Sequence, residues 1–430
     1  TDPRWFADNQ AFSNATELLI QPAHYLLRML YSQGISLQQL GLSSSTKSAI
    51  TTDPAEVWQC FADNYRLFLG TPTRLWMDHV LSEVFSIEQG LDSQSAQSIF
   101  EQINQQLATP EFRPRALFER FNIEVIATTE SPIDPLLSHQ KLQQDAWQGR
   151  VITAFRPDPV TDPDYENFAA NIATLEQMSG ESCDSYRGYL NALRNRREFF
   201  KSMGATSSDH SNPIAMTADL GADECEDLYQ GALKGNLTAA KKDQFRGQIL
   251  LEMALMSLDD GLVMQLHTGV YRNHNPQVFA EFGRDKGADL PLPGEFIRNL
   301  KPLLDRVGNR TDFTLIIFTL DESTYARELA PLAGHYPAVK VGPAWWFHDS
   351  PEGMLRYRQQ ITETAGFYNT VGFNDDTRAF LSIPARHDVA RRMDCRYLAQ
   401  LVAEHRLELD HARQLAVDLS YNLAKQAYKL

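Results

Sequence analysis

IEVIATT (123–129), RVITAF (150–155), FKSMGAT (200–206), GLVMQLH (261–267), DFTLIIF (312–318), AVKVGPAWWF (338–347) and YNTVGFND (368–375) decide the fold of this 430-residue chain. Each is a short apolar run that ends in polar residues and precedes a stretch of helical pattern. Strands alternating with helices imply βαβ units and a parallel sheet. Seven such runs predict an α/β chain folded as a (β/α)₈ barrel, with the eighth strand preceding residue 1 or lying at the extreme N-terminus. A doubly wound open sheet is the alternative, but no Gly-rich phosphate turn follows an early strand. After the 312–318 run, Thr319 followed by Glu322 reads as a capping box opening an Ala/Leu-rich helix.

Upstream of about residue 120 the texture is helical and polar. Pro22–Ser32 is an example: Pro opens it, Leu26, Leu27 and Leu30 share a face, and Gly34 stops it. Composition narrows the function. Forty Lys and Arg against 55 Asp and Glu leave a net charge of −15, which repels phosphate backbones, and no basic stripe offsets it. Nucleic-acid binding is therefore not expected. No apolar run approaches the roughly 18 residues of a membrane span. Cys60, Cys183, Cys225 and Cys395 lie far apart with no C-x-x-C, and TDPRWFADNQAF at the start has no signal-peptide core. These features point to the cytoplasm, and they leave homo-oligomerisation open.

Barrel enzymes place their chemistry at the C-terminal ends of the strands. Here those ends carry Thr128, Thr129 and Glu130; Arg156 and Asp158; Ser208, Asp209 and His210; His267 with Arg272, Asn273, His274 and Asn275; Trp345, Trp346 and His348; and Asp375, Asp376 and Arg378. Singly, each has a bland reading. An Asp after a strand is usually a helix cap, Arg156 and Asp158 make a structural ion pair, and Trp345–Trp346–Phe347 is core. Six strands delivering polar groups to one rim favour a polar small-molecule site. Spacing alone gives no metal site, since there is neither H-x-H nor H-E-x-x-H.

At these residues the chain resembles the uronate (glucuronate) isomerase family of the amidohydrolase superfamily. The matching segments are HYLLRML (24–30), TTESPIDPL (128–136), RPDP (156–159), SSDH (207–210), QLHTGVYRNHNP (265–276), GPAWWFHDSPEGM (342–354), GFNDDTRAFLS (372–382) and ARHDVARR (385–392). The resemblance implies a deformed (β/α)₈ TIM-type barrel with a helical N-terminal insertion. Residues 1–15 would be a remnant of the first βα loop, 16–120 the insertion, and 121–430 strands 2–8 with the C-terminal helices. It also implies reversible isomerisation of D-glucuronate to D-fructuronate and of D-galacturonate to D-tagaturonate. The family binds one divalent metal, usually taken as zinc, through an H-x-H ending strand 1 and the Asp after strand 8. Asp376 matches that Asp, Arg378 the Arg two residues on, and His24–Tyr25 a substrate-contacting pair. The H-x-H has no counterpart in this chain, so the natural polypeptide is expected to extend upstream through it, with Thr1 at the rim within reach of Asp376. As it stands the chain leaves Asp376 as its one matched ligand, so any metal would rely on Asp376 with water or a rim His and is expected to bind weakly or be absent.

Aldose–ketose isomerisation moves a proton from C2 to C1 through an enediolate, and it needs a carbon base, donors for the oxyanion and an anchor for the C6 carboxylate. Arg156 is expected to be that anchor, with Arg378 second, because a guanidinium fork matches a carboxylate. Asp376, Tyr25 and His24 are the expected catalytic groups, and His210, His267, Arg272, Trp345 and Trp346 the expected substrate contacts. Tyr25 serves as a base only with a pKa well below about 10. His24 and Arg28, four residues apart, are expected to share a helix face into the barrel mouth. Two rivals remain: a metal-dependent hydrolase, which would want a His where Phe318–Thr319–Leu320 offers none, and a non-catalytic sugar-acid binder.

Overall fold

A computed structural model describes residues 1–44 and 53–430. Eight strands are present among them: β1 (Val125–Glu130), β2 (Arg150–Phe155), β3 (Ser207–His210), β4 (Val263–Thr268), β5 (Val270–Tyr271), β6 (Leu290–Pro291), β7 (Leu315–Thr319) and β8 (Val339–Val341). Six form one parallel sheet in the order β1-β2-β3-β4-β7-β8, and a parallel bridge from Val341 to Thr370 extends it. The order follows the chain without reversing, as winding around a barrel requires, whereas a doubly wound sheet reverses at its switch point. Strands β5 and β6 pair antiparallel as the base of an excursion leaving β4.

The pleat sorts side chains to two cores. On one face Met264, Leu266, Leu315, Ile317, Val339 and Val341 pack against helical residues such as Leu250, Met253 and Ala254. On the other, Val263, Ile316, Phe318 and Val371 fill the barrel interior with Trp345 and Tyr428. Fully burying one such side chain contributes about 1.5–3 kcal/mol, so both faces are strongly specified.

Four sequence expectations shift. FKSMGAT (200–206) holds the end of the helix Tyr186–Ser202, and the strand is the polar SSDH that follows. The strand expected at 338–347 stops at Val341, before Gly342–Pro343, and Trp346–His348 is a 3₁₀ turn. YNTVGFND contributes a single bridge at Thr370. The capping box does not form: Thr319 Oγ1 accepts from Asp321 N at 3.0 Å, and Glu322 pairs with Arg356 at 2.6 Å.

The helix His24–Ser32 buries Leu26, Leu27 and Leu30 and ends at Gln33, before Gly34 at φ +86°. The helices upstream of β1 share a core that also takes Ile126 of β1, Val151 of β2, Phe380 and Leu381. Near the other end, Gly372 (φ +70°) lies so close to Leu419 that a Cβ there would sit 2.4 Å from its carbonyl oxygen. Phe373 N donates to that same oxygen at 2.9 Å. The segment carrying Asp375 and Asp376 therefore leaves the barrel along a fixed path.

Candidate active site

A cavity of about 2230 Å³ opens at the C-terminal ends of the strands. That exceeds the roughly 300–1,000 Å³ of an ordinary ligand pocket, because the cavity continues along the edge of β1. Its wall carries Thr1, His24, Tyr25, Glu130, Arg156, Asp209, His267, Arg272, Trp345, Trp346, Asp376 and Arg378.

Strand alternation decides which of β3's polar residues reach this wall. Ser207 and Asp209 line the cavity, so Ser208 and His210 point the other way. His210 is buried behind the sheet, where its Nε2 meets Ser208 Oγ at 3.1 Å. Burial pushes its pKa down to about 4, so it is neutral. The structure thus moves His210 off the mouth and puts Asp209 in its place, a residue that a period of two along SSDH could have indicated.

Asp209 organises the wall. His267 Nδ1 lies 2.6 Å from Asp209 Oδ1, and Arg156 Nη1 lies 3.3 Å from Oδ2. Burial would raise the Asp209 carboxyl, but Arg156 and then His267 outweigh it and hold the group well below the usual range. An ionised carboxylate only accepts, so His267 carries a proton on Nδ1 and leaves Nε2 for a ligand. The imidazole stacks on Phe318 at 4.1 Å and tilts against Trp345 at 4.7 Å.

Trp345 Nε1 donates to Asp376 Oδ2 at 2.8 Å. Burial opposes ionisation of Asp376, yet the field of His267 and the Trp345 bond keep its pKa below the ordinary value. Arg156 also donates from Nε to Asp158 Oδ2 at 2.9 Å, which leaves N–H donors of its fork uncommitted. Arg378 pairs with Asp285 at 3.0 Å, and Arg272 bonds Asp289 at 2.9 Å and Ser211 at 2.7 Å. Arg272 also lies 5.6 Å from the Trp346 ring centre.

His24 stacks on Tyr25 at 4.4 Å and meets Trp346 edge-on at 4.9 Å, and its Nε2 is buried without a partner. Burial, then Arg378, push its pKa down to about 3, so it is neutral. Burial raises the Tyr25 phenol above its ordinary value, so it stays protonated and can donate a hydrogen bond but not serve as a base. Arg28 turns away from the mouth: its guanidinium sits 4.3 Å over Phe347, beside a separate shallow groove.

Glu130 was one of several polar strand ends in the sequence, and the structure gives it a distinct setting. Thr153 donates to its Oε2, His139 Nε2 lies 3.8 Å away, and the side chain is 10% exposed. Burial pushes its pKa up to about 7. The native state therefore holds this proton more tightly than the unfolded chain. The resulting stability is full below about pH 4.5 and is lost as pH rises through about 7. Glu130→Gln, always neutral, is expected to be about 2–3 kcal/mol more stable than wild type at pH 8 and equal to it near pH 4.5. Urea unfolding at the two pH values checks this, and parallel curves for the two proteins would refute it.

A metal needs more than this wall supplies. Among the described residues no three His, Cys, Asp or Glu side chains converge as ligands. Asp376 offers one carboxylate, with an oxygen already taken by Trp345, so these residues do not by themselves fit a zinc shell of three protein ligands.

Residues 1–428 match the sequence model of the glucuronate isomerase family. The chain belongs to that family. It is 60% identical to the uronate isomerase of Rhizorhabdus wittichii, covering all of this chain and 91% of that one. It is 58% identical to that of Xanthomonas campestris pv. campestris over the same shares. The crystal structure of glucuronate isomerase from Caulobacter crescentus superposes with a TM-score of 0.98 at 56% identity, covering all of this chain and 89% of that one. Uronate isomerase from Thermotoga maritima shares the fold at a TM-score of 0.93 and 24% identity, over 99% of this chain and 92% of that one. The family membership makes the chain an aldose–ketose isomerase. Among the described residues no helix is long and apolar enough to cross a membrane.

Proposed function

We propose that the chain interconverts D-glucuronate with D-fructuronate and D-galacturonate with D-tagaturonate through an enediolate, in the cytoplasm. The observation that carries this reading is the unbroken contact run Arg156–Asp209–His267 on the cavity wall that also holds Asp376. It sets a carboxylate anchor, a proton carrier and a base on one surface.

Arg156 takes the C6 carboxylate, with Arg378 as the second contact. Asp376, an ionised carboxylate facing the cavity, accepts the C2 proton while the C1–C2 double bond forms, and then returns that proton to C1 as the ketose forms. His267, oriented by Asp209, exchanges the hydroxyl proton between O1 and O2. Tyr25 donates a hydrogen bond to the developing oxyanion, a role its neutral phenol suits. Trp346 and His24 close the apolar side of the sugar. Zinc, the metal implied by the family resemblance, requires ligands beyond Asp376, and no step above passes through it.

Full-length protein supplied with a divalent metal is expected to form ketose from one or both uronates, followed by NMR. Substrate carrying deuterium at C2 is expected to retain part of the label at C1. No ketose from either uronate would sink the reading.

A further inference from the structure

The excursion between β5 and β6 is a strap with a paired base and a tip held by exposed ion pairs. At the base β5 and β6 pair antiparallel, Arg272 bonds Asp289 at 2.9 Å, and Asp289 Oδ1 accepts from Asn273 N at 2.7 Å. At the tip, Gly283, Asp285 and Gly287 all have left-handed backbone, with φ of +78°, +63° and +80°. The tip rests on the start of the helix that carries His24 and Tyr25. A Cβ on Gly287 would lie 2.9 Å from the His24 carbonyl oxygen and 2.7 Å from Arg28 Cβ.

Two ion pairs hold the tip down: Arg284 with Glu166 at 2.5 Å, and Asp285 with Arg378 at 3.0 Å. Both partners of the second pair are half-exposed, at 41% and 50%. Pairs so exposed add little to stability and exchange easily. Asp285 and Arg378 both line the cavity, so this side-chain carboxylate occupies a guanidinium that a sugar acid would also seek.

We propose that Asp285 is a built-in stand-in for the substrate's carboxylate: it engages Arg378 and keeps the 276–289 strap down over the site, and an incoming uronate takes over Arg378 and frees the tip. The inference rests on the isomerase reading above and adds a gate to the same site. The gate links sequence to dynamics, because the left-handed Asp and its flanking glycines let the tip move without disturbing the pinned base.

The test pairs hydrogen–deuterium exchange of residues 276–289 with steady-state kinetics, in full-length protein given D-glucuronate. Asn tolerates left-handed backbone, so Asp285→Asn removes the charge while keeping the turn. In wild type, saturating uronate is expected to speed exchange at the tip. In Asp285→Asn, exchange is expected to be fast already and unmoved by uronate, with KM lowered about 2–5-fold, the worth of an exposed pair. Turnover by wild type with unchanged or slowed tip exchange overturns the gate. A raised KM in Asp285→Asn also overturns it, because Asp285 would then be positioning Arg378 for the substrate. Failure of wild type to turn over either uronate is a separate result that overturns the isomerase reading and the gate with it.

Discussion

Arg156→Met is expected to cut kcat/KM for D-glucuronate by about 30-fold to several thousand-fold, the equivalent of losing one partner of a charge pair at about 2–5 kcal/mol. Two effects contribute, and they separate. The carboxylate loses its anchor, which raises KM. Asp209 also loses the cation 3.3 Å away that lowers its pKa most, and burial then pushes its carboxyl up against His267 and His210 alone. A protonated Asp209 no longer fixes the His267 tautomer, and that lowers kcat at acidic and neutral pH. Arg156→Lys keeps the charge beside Asp209 but loses the planar fork. It is expected to restore most of kcat while leaving KM high. Uronate turnover by Arg156→Met at the wild-type rate and KM would remove Arg156 from the site.

The barrel was legible because β1, β2, β4 and β7 bury apolar residues on one face or both, and such runs stand out from polar surroundings. β3 was not. Its four residues are Ser207, Ser208, Asp209 and His210, all buried, and two of them face a polar cavity. A strand that builds an active site loses the hydrophobic signal by which strands are found, and the run FKSMGAT (200–206) beside it takes its apolar signal from the end of a helix. The aromatic run Trp345–Phe347 erred in the opposite direction. It is apolar because Trp345 and Trp346 pack into the barrel mouth while Phe347 packs under Arg28, and the backbone has already left the sheet at Gly342–Pro343. The Asp285–Arg378 pair spans 93 residues of sequence and carries no local signature, so only the folded chain reveals it.

The largest stability effect is expected at Arg386, a nearly buried residue in the wall of the same cavity. Its guanidinium is 2% exposed, donates to Asp375 Oδ1 at 2.5 Å, bonds Asp349 and lies 4.3 Å from the Trp76 ring centre. Asp349 Oδ1 and Asp375 Oδ2 are buried without a hydrogen-bond partner, so this one cation is the counter-charge to two buried carboxylates. Burial already pushes Asp349 up to about 6, against the pull of Arg386. Arg386→Met leaves both carboxylates uncompensated and is expected to cost about 3–5 kcal/mol, read as an earlier urea midpoint. Asp375 immediately precedes Asp376, so the same change is expected to loosen the candidate base and lower kcat more than it raises KM. Adding Asp349→Asn removes one of the stranded charges and is expected to recover part of the stability. It is expected to leave kcat low, because Asp375 still lacks its tether. A loss under about 1 kcal/mol in Arg386→Met would mean that the cluster is solvated in the working protein. Equal recovery of stability and kcat in the double variant would mean that Arg386 balances charge without placing Asp376.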